Sequence, residues 1–134
     1  MTKERLRNYL RLKQEQKQLE AQLEMVLGEM ATVSSPRITG MPRANEPRGL
    51  DDIIVRYEEI TTQYQRQLRM CQAELLAIEK SIEAVRDARL RLILRYRYLE
   101  GESWETIAMY LGYNRRWVLR LHGAALAEIG KINL

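Results

Sequence analysis

Apolar residues recur along this chain in two long helical registers separated by one break. Tyr9, Leu12, Gln16, Leu19, Leu23, Val26, Met30 and Val33 follow one another in alternating steps of three and four. That spacing holds one stripe on one side of a helix and predicts a coiled-coil seam over residues 3–33, interrupted by a polar side chain at Gln16. Tyr57, Ile60, Tyr64, Leu68, Cys71, Leu75, Ile78, Ile82 and Val85 form a second seam of similar length. Between them SSPRITGMPRANEPRG, from Ser34 to Gly49, holds all three prolines and two glycines and keeps neither period, so it reads as a loop over residues 34–50. Arg37, Arg43 and Arg48 against Glu46 make this loop mildly basic, and a solvated connector is the simpler reading than an arm that touches nucleic acid.

Asp51 is expected to restart the helix as its N-cap, with Leu50 and Val55 placed as a hydrophobic staple. Two seams of about 30 residues fold back on each other as an antiparallel hairpin roughly 45 Å long at 1.5 Å per residue. Pairing between chains satisfies the same pattern. Ile53, Ile54 and Leu76 lie off the seams, and the flank they leave open predicts self-association.

The pattern changes in the last third. Asp87 is placed to cap a fresh helix from Ala88 to Leu99, with Ile93, Leu94 and Tyr98 facing inward. SWETIAMYLGYNRRWVLRLHG, from Ser103 to Gly123, then has the requirements of two short helices crossing at a tight turn. Ala108 is small where the second helix passes closest to the first. Gly112 stands where the first helix must end in a left-handed conformation, which a Cβ resists. Ile107, Leu111, Val118 and Leu121 close the wedge. Ser103 and Asn114 are placed to cap the two helices, and Glu105 suits the first helix dipole.

Arg115 and Arg116 at the start of the second helix oppose its dipole, and no carboxylate stands close in sequence. They imply an anionic partner. In a helix-turn-helix the N-terminal half of the second helix enters the major groove of duplex DNA. Asn114, Arg115, Arg116, Trp117, Leu119 and Arg120 are therefore the candidate DNA-binding residues. Arg91, Arg95 and Arg97 are candidates for phosphate contacts. For His122 the reading stays open between a phosphate contact and an ordinary helix-surface residue. Trp104 and Tyr110 are expected to pack at the core or its edge.

RLILRYRYLEGESWETIAMYLGYNRRWVLRLHGAAL resembles region 4 of bacterial sigma factors, which binds the −35 promoter element. The resemblance rests on the RY-L-EG segment from Arg97 to Gly101, the two-helix motif, and the Ala125–Leu126 pair after it, and it covers residues 86–132. Over its full length the chain resembles small phage-encoded late-gene regulators of the RinA and ArpU type. The resemblance implies promoter DNA as ligand, bacterial RNA polymerase as a partner, and base contacts from Arg115, Arg116, Leu119 and Arg120. No region 2 is present, so a stand-alone initiating sigma factor is not expected.

Composition agrees with this reading and narrows it. Of 134 residues only seven are glycine and three proline, phenylalanine is absent, and the chain is rich in Leu, Glu, Arg, Gln and Ala, which argues for an all-α protein. Residues 1–85 hold 13 basic and 13 acidic side chains, whereas residues 86–134 hold 9 and 5. The whole surplus of +4 thus sits with the proposed DNA-binding part, the electrostatic pattern that attracts a polyanion. Cys71, the single cysteine, excludes an internal disulfide, fits a reducing cytoplasm and lies in an apolar stripe as a core residue. No apolar run marks a signal peptide or a membrane span, and the expected location is the cytoplasm of a bacterial host.

Enzyme chemistry is not expected. One histidine and one cysteine cannot make a four-ligand zinc site, no phosphate-binding glycine loop occurs, and no cofactor is implied. The expectation is an all-α chain: a long antiparallel coiled-coil hairpin over residues 1–85, followed by a three-helix, sigma-region-4-like helix-turn-helix domain over 86–134. Its expected task is regulation of transcription at phage or prophage promoters, with the coiled coil serving for homo-oligomerisation or for contact with polymerase. A phage DNA-packaging protein of the small-terminase type is the rival, and a coiled-coil scaffold without DNA binding a third reading.

Overall fold

The computed structural model describes residues 1–34 and 46–132. The described residues are helical, with no strand among them. Helix α1 runs Lys3–Ser34 and α2 Glu46–Glu83; α3 follows at Ala88–Leu94, α4 at Trp104–Leu111 and α5 at Arg115–Gly130. None of these helices is long and apolar enough to cross a membrane.

Every residue of the two seams is buried or half-buried, Gln16 included. Cys71 is buried, as its place in the stripe requires. The restart of the second helix differs from expectation. Helix α2 begins at Glu46, so Asp51 lies inside it rather than capping it, and Val55 is exposed rather than stapled. Pro47 does not prevent this, because a helix's first N–H groups have no intrahelical acceptor and a missing one costs no bond. Residues 35–45 of the predicted loop, Arg37 and Arg43 with them, lie outside the described residues.

The chain divides into two compact units. One is Gln14–Arg69; the other joins Met1–Lys13 to Met70–Leu134. In Gln14–Arg69, Gln67 donates to Glu15 at 3.1 Å, Tyr64 donates to Glu20 at 3.1 Å, and Arg56 pairs with Glu29. Partner numbers rise along α1 as they fall along α2. Val26 and Ile53 are the deeply buried apolar residues here, although Ile53 was expected on an open flank.

The other unit has a single apolar core, to which Leu6 and Tyr9 of α1 contribute beside Ile78, Ile82 and Val85 of α2 and Ile93, Leu94, Ile107, Val118 and Ile129 of the later helices. Its boundary is not at residue 85, because the first turns of α1 and the last turns of α2 belong to this core. Polar contacts tie them in. Arg5 grips Glu74 with two hydrogen bonds, 3.0 and 2.8 Å, the paired geometry that makes guanidinium–carboxylate contacts strong. Lys13 donates to the Leu99 carbonyl at 3.1 Å.

Asp87 caps α3 as the sequence predicts, accepting from the Arg89 N–H at 2.9 Å. The helix expected through Leu99 changes character at Arg95, where a five-residue π-helical turn, Arg95–Leu99, takes over. Gly101 leaves this turn with φ +71°, a conformation that a Cβ would strain. Helix α5 packs against both α3 and α4.

Candidate nucleic-acid interface

The local rules read from Ser103–Gly123 are met atom by atom. Ser103 Oγ accepts from the Thr106 N–H at 3.2 Å, and Asn114 Oδ1 accepts from the Trp117 N–H at 2.8 Å. Gly112 has φ +70° and ψ 28°, the left-handed conformation. The Tyr113 N–H donates to the Ala108 carbonyl at 3.0 Å and the Gly112 N–H to Met109 at 3.3 Å, the paired bonds of a Schellman turn. Ile107, Ala108, Val118 and Leu121 are buried, and Leu111 is half-buried. The turn residues 112–114 therefore join two helices whose inner faces share one core.

Helix α5 has a buried side and an exposed one. Val118, Leu121, His122, Ala125 and Ile129 are buried. At about 100° per residue they span one arc, and Arg116 and Arg120 lie across from it. Leu119 and Trp117 flank it on either side, and Arg115 falls nearest its edge. All five outer residues are exposed, with Trp117 at 38 % and Leu119 at 41 % of their full areas. Large apolar side chains held that open beside three arginines make a surface that combines charge with flat contact area. Arg115 is less free than its sequence neighbours indicate, because its guanidinium lies 3.3 Å from Glu105 of α4. Such an exposed pair contributes only about 0–1 kcal/mol, so a stronger anion displaces Glu105 readily.

Of the candidate phosphate contacts, Arg91 and Arg97 also take part in contacts within the fold. Arg91 reaches back to the carbonyls of Val85 and Arg86, 2.6 and 2.7 Å away, and closes the joint after α2. Backbone carbonyls in the joint between two helices need donors, and a long guanidinium supplies them. Arg97 donates to the Glu102 carbonyl at 3.0 Å and lies 4.3 Å above the Trp104 ring centre. Arg95 is half-buried.

His122 is the clearest correction. It is neither a surface residue nor set to meet a phosphate from α5's outer face. It is buried, 2.6 Å from the Tyr98 hydroxyl, with its ring 4.5 Å from that of Trp104. Burial, reinforced by the positive charges of Lys3, Arg97 and Arg7, pushes its imidazole down to about 4. It is therefore neutral at pH 7. Trp104 packs half-buried against this pair, as expected of an edge residue, while Tyr110 is exposed and its ring lies 5.3 Å from that of Tyr96.

The described residues contain no group of three or more His, Cys, Asp or Glu side chains able to hold a metal. Comparison with protein-family models, with curated proteins and with solved structures finds no match to this chain.

Proposed function

We propose that this chain is a sequence-specific DNA-binding regulator of transcription, of the phage or prophage kind, that acts at promoters. The observation that carries the reading is the outer face of α5. Arg116 and Arg120 lie opposite the buried Val118 and Leu121, with Leu119 on their flank, closely after an Asn114 cap and a left-handed Gly112. That arrangement presents a basic helix start of the width a major groove accepts. On this reading α4 and α5 are the helix-turn-helix and α3 is its third helix, the whole resembling sigma region 4. Arg115, Arg116, Leu119 and Arg120 meet base edges, and Asn114 and Trp117 border them. The long helices form an antiparallel coiled-coil hairpin that serves for self-association or for contact with RNA polymerase. Exposed Met25, Leu27 and Val55 supply apolar area for either.

The test is a salt titration of binding to duplex DNA. Several phosphate contacts lower affinity by orders of magnitude between about 50 and 200 mM salt. Selection from random duplexes should then return one preferred sequence, and transcription from a promoter carrying it should change when the protein is added. Affinity that ignores salt removes the reading.

A further inference from the structure

A cleft of about 410 Å³ opens beside α5, between the first turns of α1, the π-helical turn and the start of α4. Lys3, Arg7 and Arg97 line it, with Trp104 and His122 among its walls and Leu119 at its edge. None of the residues that line it carries a carboxylate. All belong to the same compact unit, so the cleft is a feature of one folded body.

The charges here are uncompensated. Lys3 and Arg7 are exposed one helical turn apart on α1, and neither makes an ion pair among the described residues. Arg97 uses one donor on the Glu102 carbonyl and lies over the Trp104 ring, which holds the guanidinium while most of its five N–H groups stay unspent. Three cations converging on one concavity repel one another, and the depressed His122 registers their field. Such a cluster is stabilised when an anion with several acceptor oxygens enters. The aromatic walls are already engaged, Trp104 with both Arg97 and His122, so a stacked base is not what the cleft is shaped for.

We infer that this cleft is a phosphate-binding site, built jointly by Lys3 and Arg7 of α1 and Arg97 of the π-helical turn. A phosphate fits because its oxygens accept from a guanidinium fork and a point-charge ammonium together. The inference does not depend on DNA reading by α5. The phosphate comes either from the backbone of a nucleic acid or from a free phosphorylated small molecule.

The experiment follows the Trp104 indole and His122 ring signals by NMR in the full chain, with inorganic pyrophosphate and with a random-sequence duplex as separate titrants, and the Trp117 indole as reporter of α5. Pyrophosphate should move the Trp104 and His122 signals saturably. The double variant Lys3→Gln/Arg7→Gln, changed only at exposed positions, should keep its melting temperature and bind at least about tenfold more weakly, as expected when charge-assisted hydrogen bonds are lost. The charge-preserving Lys3→Arg/Arg7→Lys should restore binding. A duplex that displaces pyrophosphate and whose salt slope falls by about 1 in the double variant identifies the backbone as the source. A duplex that moves Trp117 but leaves bound pyrophosphate in place identifies a free phosphate. A duplex that moves neither tryptophan removes the DNA reading, while a pyrophosphate response still upholds the cleft. If pyrophosphate and duplex both leave Trp104 and His122 unmoved, or the double variant titrates like the parent, the inference is overturned.

Discussion

The Tyr98 hydroxyl and His122 Nε2 lie 2.6 Å apart, buried, one on the π-helical turn and the other on α5. Burial raises the tyrosine and lowers the histidine, so both rings are neutral at pH 7 and the contact is an uncharged hydrogen bond inside the core. A charged imidazole in this place would face Lys3, Arg97 and Arg7 as well as an apolar surround.

Acid should therefore loosen this core through His122. Its folded value of about 4 lies below the ordinary 6.5, so the unfolded chain takes up the proton first. The stability tied to the neutral ring is complete above about 6.5 and is lost as pH falls toward about 4, by up to about 3 kcal/mol. Thermal melts of the parent against His122→Gln should show a shallower acid slope in the variant. Because His122 is the only histidine, its NMR titration is a single curve, and a midpoint near 6.5 would end the argument.

The outer face of α5 predicts unequal arginines. Arg116 and Arg120 lie directly across from the buried arc, whereas Arg115 sits at its edge and pairs with Glu105. Arg116→Ala and Arg120→Ala should each leave the melting temperature nearly unchanged and weaken specific duplex binding by about 1–3 kcal/mol, with base preference relaxed at one position. Arg115→Ala should cost less, because its guanidinium is already shared with Glu105. Binding of the first two variants that equals the parent's on selected and random duplexes means another surface reads DNA.

Two glycines should respond with opposite signs. Gly112 needs its left-handed backbone, and a Cβ there meets no atom within 4 Å, so Gly112→Ala suffers backbone strain alone, about 1–2 kcal/mol. Gly123 lies inside α5 with equally open space, and Gly123→Ala should stabilise by about 0.5–1 kcal/mol. Denaturant midpoints of the two variants moving the same way would contradict the assignment.

The first turns of α1 should matter to the C-terminal core. Leu6 is fully buried there, and Leu6→Ala should cost about 2–5 kcal/mol. Met25→Ala, on the same helix but 68 % exposed, should stay within about 0.5 kcal/mol of the parent. An unchanged urea midpoint for Leu6→Ala would detach α1 from that core.

Much of this was legible from local pattern. The seams, the caps at Asp87, Ser103 and Asn114, and the left-handed Gly112 follow from interactions within a few residues, where spacing and side-chain type decide the outcome. The start of α2 was misplaced because a proline-bearing stretch reads as a break, yet proline is tolerated in a helix's first turn.

Other features depend on groups distant in sequence. Lys13 meets the Leu99 carbonyl across 86 positions and Arg5 meets Glu74 across 69, which brings Lys3 and Arg7 beside Arg97. No periodicity along either stretch encodes that meeting. A lone histidine on an amphipathic helix looks like surface until its neighbours are known, and Tyr98 and Trp104 bury it. By itself the sequence determined which segments are helical, where most of them are capped and which stripe of each turns inward, because those follow from short-range sterics and hydrogen bonding. Only the tertiary structure decided which cations are spent inside the fold, as Arg91 is on two carbonyls, and which stay exposed, as Arg116 and Arg120 do, because burial and partner distance are set by segments that meet only once the chain has folded.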